Sequence, residues 1–231
     1  NGIPLTSRRR VIAQRMVTSR QQTVPVTINS KADAANLVNL REQFKSVANL
    51  IVPSYQDIIT KLVAETLKSH LLLAGRLDED VVVLPGADEL HVGIAVDAPD
   101  GLLVPVIPNC GQSTLTEIAS LTRKLIERTR SGELTSSEMQ NGVFTITNLG
   151  AFGIDFFTPI INYPQAAILG IGAIRQTPAS LDNGQFAFKP EISLSLTFDH
   201  RIIDGAPAAR FLQALGQAIA DVVGTNAQVT A

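Results

Sequence analysis

One cysteine, Cys110, stands in 231 residues, and tryptophan is missing altogether. A single thiol excludes an intrachain disulfide and any cysteine-rich metal site. That usage fits a reducing cytosol or an organelle matrix. Two tyrosines and nine phenylalanines bring the aromatic share to 5%, too few for the base-stacking platforms of nucleic-acid binders. Charge is scarce too, at 17% of residues against about 25% in ordinary soluble domains. The net charge is only −2. Arg8-Arg9-Arg10 is the densest basic run and opens a helix-like segment, so it reads as a solvated helix start or an oligomer contact. The chain is 45% apolar, with a mean hydropathy of +0.19. No apolar run approaches the ~20 residues of a membrane span. Ample apolar content with little charge points to surface hidden in an oligomer. No repeat and no signal peptide is evident. The length fits one large domain, and a start at Asn1 rather than Met suggests a piece of something longer.

Hydrophobic periodicity predicts the elements. Ser7 to Gln21 reads as a helix stopped by Pro25, and Val24 to Ser30 alternates like a strand. Asp33 is placed to cap a helix to Val47. Ser54 with Asp57 reads as a capping box for a long helix to Leu72, and Thr114 with Glu117 as another, for a helix to about Arg130 ended by Gly132. Strands are expected at Val81–Leu84, Leu90–Asp97, Leu103–Ile107, Val143–Asn148, Ile168–Ile174 and Glu191–Asp199. Turn signals stand at Pro85-Gly86 and Pro99-Asp100-Gly101. A short helical piece precedes Gly142, a last helix runs from about Ala206 to Val223, and the chain frays from Gly224. Helices early and late, with strands between, argue for an α+β fold rather than a βαβ alternation.

The chemistry concentrates in Asp199-His200-Arg201-Ile202-Ile203-Asp204-Gly205, between the clearest strand and the last helix. Imidazole is the side chain that exchanges protons near neutral pH, so His200 is a candidate general base. Asp204, four residues on, either orients the base or caps the helix that follows. Asp199 and Arg201 are expected to form a structural ion pair, and Gly205 to permit a tight helix start. His70 and His91 are expected to be structural or exposed. Gly170-x-Gly172 lacks the third glycine and the following helix of a dinucleotide loop. No Gly-x-Ser-x-Gly elbow, His-Glu-x-x-His, Cys-x-x-Cys or calcium-loop pattern is present.

The seven-residue string resembles the signature of the dihydrolipoamide acyltransferases, the core enzymes of the 2-oxoacid dehydrogenase complexes. Further stretches resemble that family's catalytic domain in its order. They are Ser7-Arg8-Arg9-Arg10 through Met16, Pro99 to Val106, Phe144 to Gly150, Phe157 to Asn162 and Ala167-Ile168-Leu169-Gly170. The resemblance runs from about Pro4 to Val223. It implies a chloramphenicol acetyltransferase-like two-layer sandwich, a mixed β-sheet covered by helices, assembled as a homotrimer. Residues 1–231 would be one catalytic domain, with 1–4 a linker remnant and 224–231 a tail. The lipoyl and peripheral-subunit-binding domains would be absent from this chain.

The resemblance also implies the reaction. His200 takes the proton of the coenzyme A thiol, and the thiolate attacks an acyl-lipoyl thioester. The hydroxyl of Thr147, where the family usually has Ser, donates to the resulting oxyanion. The hydroxyl and the histidine would come from neighbouring subunits. Coenzyme A is then a substrate, the lipoyl group arrives on a separate domain, and no metal takes part. Implied partners are the lipoyl domain and the decarboxylase and dihydrolipoamide dehydrogenase components, with no nucleic acid and no membrane. The compartment would be a bacterial cytoplasm or an organelle matrix. The Thr147-Asn148-Leu149-Gly150 and Phe157-Thr158-Pro159-Ile160-Ile161 stretches favour acetyl, from a pyruvate or acetoin complex. Succinyl or branched-chain transfer, another acceptor, or a non-catalytic scaffold core are the alternatives. Many relatives carry His after the proline that ends the first helix, where this chain has Val26. Its tail, Gly224 to Ala231, is not a hydrophobic docking tail, so a cage of trimers is left open.

Overall fold

A computed structural model describes residues 2–99, 101–180 and 184–223. The tail at 224–231 and Asp100 of the expected turn lie outside them. In chain order the elements are α1 (Ser7–Gln22), β1 (Pro25–Asp33), α2 (Ala35–Ser46), α3 (Tyr55–Leu67), β2 (Arg76–Asp78) and β3 (Val81–Val83). Then come β4 (Val92–Ile94), β5 (Val96–Ala98), β6 (Gly101–Leu103), β7 (Val106–Ile107), α4 (Leu115–Ser131), β8 (Phe144–Asn148), β9 (Ala167–Ser180), β10 (Phe186–Asp199) and α5 (Gly205–Ala220).

Six strands form one mixed sheet in the order β1-β10-β9-β8-β4-β7. The β8 strand runs parallel to both neighbours, and the other pairs are antiparallel. One face carries α2, α3 and α5, which pack on each other and on β1 and β10, with α4 against α3 and β7. The core between the layers includes Leu37, Ile58, Val63, Phe144, Leu196, Phe198 and Phe211, each at most 1% exposed. Full burial of such a side chain stabilises by about 1.5–3 kcal/mol. This is the expected α+β two-layer sandwich.

Local sequence explains most boundaries. Both capping boxes form: Ser54 and Thr114 each accept from the backbone N–H three residues on, and Asp57 and Glu117 return the bond. Four expectations fail for tertiary reasons. Asp33 ends β1 and Ala34 holds the cap position, although Asp33 Oδ1 still accepts the Ala35 N–H at 2.8 Å. The helix expected to reach Leu72 stops at Leu67. A 3-10 turn over Leu71–Ala74 follows and brings the Gly75 carbonyl to the Ala166 N–H. The strand expected over Leu90–Asp97 divides, since Ala95 bonds to Ile146 and β5 leaves the sheet to pair with β6. Leu103–Ile107 divides at Pro105, which has no N–H; its carbonyl instead accepts the Ile94 N–H.

The other face of the sheet lies under the segment between β8 and β9. A Cβ on Gly170 would stand 2.7 Å from the Phe157 ring, and one on Gly172 would collide with the Asp155 carbonyl. Gly170-x-Gly172 is therefore a flat seat for a crossing segment.

Candidate active site

Both faces of β10 are buried over its last eight residues, but they differ in kind. Ile192, Leu194, Leu196 and Phe198 belong to the apolar core. Ser193, Ser195, Thr197 and Asp199 are also buried, on the other face. There Ser195 Oγ accepts the Phe157 N–H at 3.4 Å, and Thr27 and Thr197 share a hydroxyl bond of 2.7 Å. Buried hydroxyls need such partners, because burial without one costs about 1–3 kcal/mol.

The strand ends at Asp199, 1% exposed. Asp199 Oδ1 accepts the backbone N–H of Val24 at 3.0 Å and of Arg201 at 3.2 Å. The Arg201 guanidinium donates from Nε at 3.0 Å and Nη2 at 2.6 Å to Oδ2. Burial pushes this carboxyl up, but the Arg201 hydrogen bonds and the two backbone N–H groups outweigh it, holding it below the ordinary carboxylate value. Arg201 is raised by the same bond. This is the ion pair expected from the sequence. The Asp199 carbonyl takes the N–H groups of Ile202 and Ile203, which folds the chain sharply into α5.

His200 stands on that turn. Its backbone N–H donates to the Val24 carbonyl at 2.8 Å, and its ring lies 5.8 Å from the Phe198 ring. The side chain is 41% exposed, with Nδ1 at 3.8 Å from Asp204 Oδ1. Neither ring nitrogen has a hydrogen-bond partner among the described residues, so the imidazole is free to move a proton. Asp204 holds the cap position of α5 without bonding any helix N–H, and its side chain is 85% exposed. Of the two readings of Asp204, the structure lacks the capping bond and places the carboxylate beside the imidazole. Gly205 opens α5, and a Cβ there would meet nothing within 4 Å. The tight geometry expected of it is not needed within this chain.

Thr147 lies near the end of β8, half-buried. Its neighbour on the same face, Thr145, is spent on structure: it donates to Gln165 Oε1 at 2.6 Å and accepts from Asn162 Nδ2 at 3.3 Å. Gln165 in turn donates to the Gly142 carbonyl at 2.8 Å. The Thr147 hydroxyl has no partner among the described residues. Asn148 Oδ1 accepts the Gly150 N–H at 2.9 Å and turns the chain beyond it. Sequence reasoning missed Gln165 and Asn162. Their only signal is that two amides stand in a loop between buried strands.

His200 and Thr147 do not meet in one chain. Thr147 pairs with Gly170, and Gly170 with Ser195, so Thr147 is level with Ser195 two strands away. His200 lies five residues past Ser195. Strand spacings of about 4.8 Å across and 3.3 Å along separate the two by about 19 Å. The remaining histidines are structural, as expected: His91 Nδ1 accepts the Asn109 N–H at 3.0 Å, and His70 stands edge-on to Phe211.

An exposed strand-end imidazole on this two-layer sandwich defines an acyl-transfer fold of the chloramphenicol acetyltransferase kind. A chloramphenicol acetyltransferase superposes with a TM-score of 0.56 at 12% identity, over 89% of this chain and 94% of that one, a likeness of fold alone. The profile of the 2-oxoacid dehydrogenases acyltransferase (catalytic domain) matches residues 1–225, and the chain belongs to that family. It is 37% identical over 215 residues to the dihydrolipoyllysine-residue acetyltransferase component of a Bacillus subtilis pyruvate dehydrogenase complex, covering 92% of this chain and 48% of that protein. Identity to the corresponding component of the B. subtilis acetoin cleaving system is 38% over 217 residues, covering 92% and 54%. A Haemophilus influenzae succinyltransferase component of the 2-oxoglutarate dehydrogenase complex follows at 35% over 223 residues, covering 95% and 54%. The chain thus spans about half the length of these relatives. Azotobacter vinelandii dihydrolipoamide acetyltransferase superposes with a TM-score of 0.90 at 34% identity, over 96% of this chain and 91% of that one. The cubic core of a pyruvate dehydrogenase multienzyme complex does so with 0.90 at 35%, over the same shares.

Proposed function

We propose that this chain is the acyl-transfer core of a 2-oxoacid dehydrogenase complex, moving an acyl group between a dihydrolipoyl arm and coenzyme A. The observation that carries this reading is His200: an exposed imidazole at a strand end, anchored through its main chain, with both ring nitrogens unengaged. A thiol is a poor nucleophile until deprotonated, so a base of this kind is what thioester exchange requires. His200 accepts the thiol proton. The sulfur attacks the thioester carbonyl, and the tetrahedral oxyanion collapses by expelling the lipoyl sulfur, which leaves with the proton held on His200. Asp204, beside Nδ1, keeps the imidazole oriented.

The oxyanion needs a donor, and the free hydroxyl of Thr147 supplies it. Its separation of about 19 Å from His200 requires that Thr147 come from a neighbouring copy, so the active unit is a homotrimer with one site at each subunit junction. Whether trimers build a cage depends on contacts outside the described residues. The lipoyl domain delivers the substrate, the decarboxylase loads it and dihydrolipoamide dehydrogenase reoxidises it, in a bacterial cytoplasm or an organelle matrix. Acetyl is the favoured acyl group, supported by the two B. subtilis acetyltransferase relatives.

The test is acyl transfer from acetyl-, succinyl- and isobutyryl-CoA to free dihydrolipoamide, with His200→Ala as control. Turnover that prefers acetyl and is lost in the variant supports the proposal. A confirmed trimer inert with every donor sinks it in favour of a scaffold.

A further inference from the structure

Two clefts open at the end of the sheet that carries His200. The Asp199 N–H bonds to the Ala166 carbonyl and the Ala166 N–H to the Gly75 carbonyl, which holds the end of β10, the head of β9 and the segment before β2 in one row. A cleft of about 490 Å³ lies beside Gly75 and Gln165, and another of about 410 Å³ lies between Lys68, His70, Pro207 and Arg210. Leu84 lines both, so they adjoin.

The second cleft carries Lys68, His70 and Arg210 and not one carboxylate in its wall. Lys68 is engaged, donating to Glu65 Oε2 at 2.7 Å and to the Gly111 carbonyl at 2.9 Å. Arg210 differs. It is exposed, and its guanidinium has no hydrogen-bond or ion-pair partner among the described residues. Burial, then the charge of Arg210, pushes His70 below its ordinary value, so at neutral pH it offers an N–H rather than a second charge. Leu71, Leu72 and Leu73 make the rest of the wall apolar.

The cleft is also connected to the base. Asp204, Pro207 and Arg210 recur every third residue, so they share one face of α5. About 9 Å of helix rise separates the first from the last. Together with the reach of the arginine side chain, that is comparable to an extended pantetheine arm, about 16 Å at ordinary bond lengths.

We infer that Arg210, with the His70 N–H beside it, holds the phosphates of the coenzyme A whose thiol His200 deprotonates. This rests on the acyl-transfer reading above. A planar guanidinium grips phosphate by paired N–H donors, and the leucine wall takes the uncharged stretch of the molecule. No other cation at this end of α5 is free.

The test compares wild type, Arg210→Gln and Arg210→Lys as assembled protein. Coenzyme A binding is read by calorimetry, and kcat and KM are read with coenzyme A and with phosphate-free pantetheine as acyl acceptors. In Arg210→Gln, coenzyme A should bind about tenfold more weakly, the lower end of what a charged hydrogen bond contributes. Its KM should rise with kcat kept, pantetheine should be unaffected, and Arg210→Lys should recover most of the loss. Unchanged coenzyme A affinity in Arg210→Gln overturns the inference, as does a parallel loss with pantetheine, which marks a damaged fold or subunit contact. A wild type that binds coenzyme A through Arg210 yet transfers no acyl group sinks the acyl-transfer reading and leaves the phosphate subsite standing.

Discussion

His200 is tied to Val24 at the main chain: its N–H donates to the Val24 carbonyl at 2.8 Å, while the Val24 N–H donates to Asp199 at 3.0 Å. One residue ahead of β1 is thus gripped by both the candidate base and the carboxylate before it. Replacing Asp199 by Asn keeps the shape but removes the charge that Arg201 needs. The pair is buried on the aspartate side and partly open on the arginine side. The expected cost is therefore about 1–3 kcal/mol, below that of a fully buried pair. Urea denaturation measures it, and kcat should fall with it as the turn loosens. An unchanged midpoint would show that the grip on Val24 is not needed.

The same carboxylate sets a pH dependence. Its folded value lies below its unfolded one, so it adds stability above the ordinary aspartate range near pH 4 and loses that contribution as pH falls through the folded value. Wild type should weaken progressively below about pH 5. Asp199→Asn should start lower and show a flatter profile between pH 7 and pH 3. Parallel profiles would remove Asp199 from the account.

The hydroxyl and the base can be tested separately and together. Thr147→Val should lower kcat about 10²–10³-fold, as loss of one oxyanion donor does, and Thr147→Ser should keep most activity. His200→Ala should lower it by about 10²–10⁴-fold without unfolding the protein. Refolded mixtures of Thr147→Val and His200→Ala chains should regain activity that neither has alone, because some junctions join an intact His200 to an intact Thr147. A mixture as inactive as its parts would place the site within one chain.

Gly172 and Gly205 make opposite predictions. Gly172→Ala drives a methyl into the Asp155 backbone and should destabilise by more than the 1–3 kcal/mol of ordinary overpacking, with loss of soluble trimer. Gly205→Ala meets nothing and should change the midpoint by about 0.5 kcal/mol or less. A large effect at Gly205 would reveal a neighbour supplied by another copy.

Much of this was legible from local pattern. The capping boxes of α3 and α4, the alternation of β10 and the break before α5 are short-range facts, and they hold. The apolar alternation of Ile192 to Phe198 placed His200 at a strand end facing out. What could not be read depends on distant partners. Nothing near Val96 says that β5 will turn to β6 instead of prolonging β4, and nothing near Leu67 says that the chain must bend to meet Ala166. The Thr145–Gln165–Gly142 chain of bonds joins a strand to two loops, so neither spacing nor period signals it. Asp204 looked like a helix cap because of its position, yet its carboxylate stays off the helix and beside the imidazole.

The distance between β8 and the end of β10 has a consequence for any rate measurement. If a protomer carries half of each reaction centre, specific activity is itself an association isotherm. On dilution, turnover per chain should collapse at the concentration where subunits part, however well each remains folded, and bound substrate should shift that point lower. Assays at nanomolar enzyme would then report the strength of the junction as much as the speed of the chemistry.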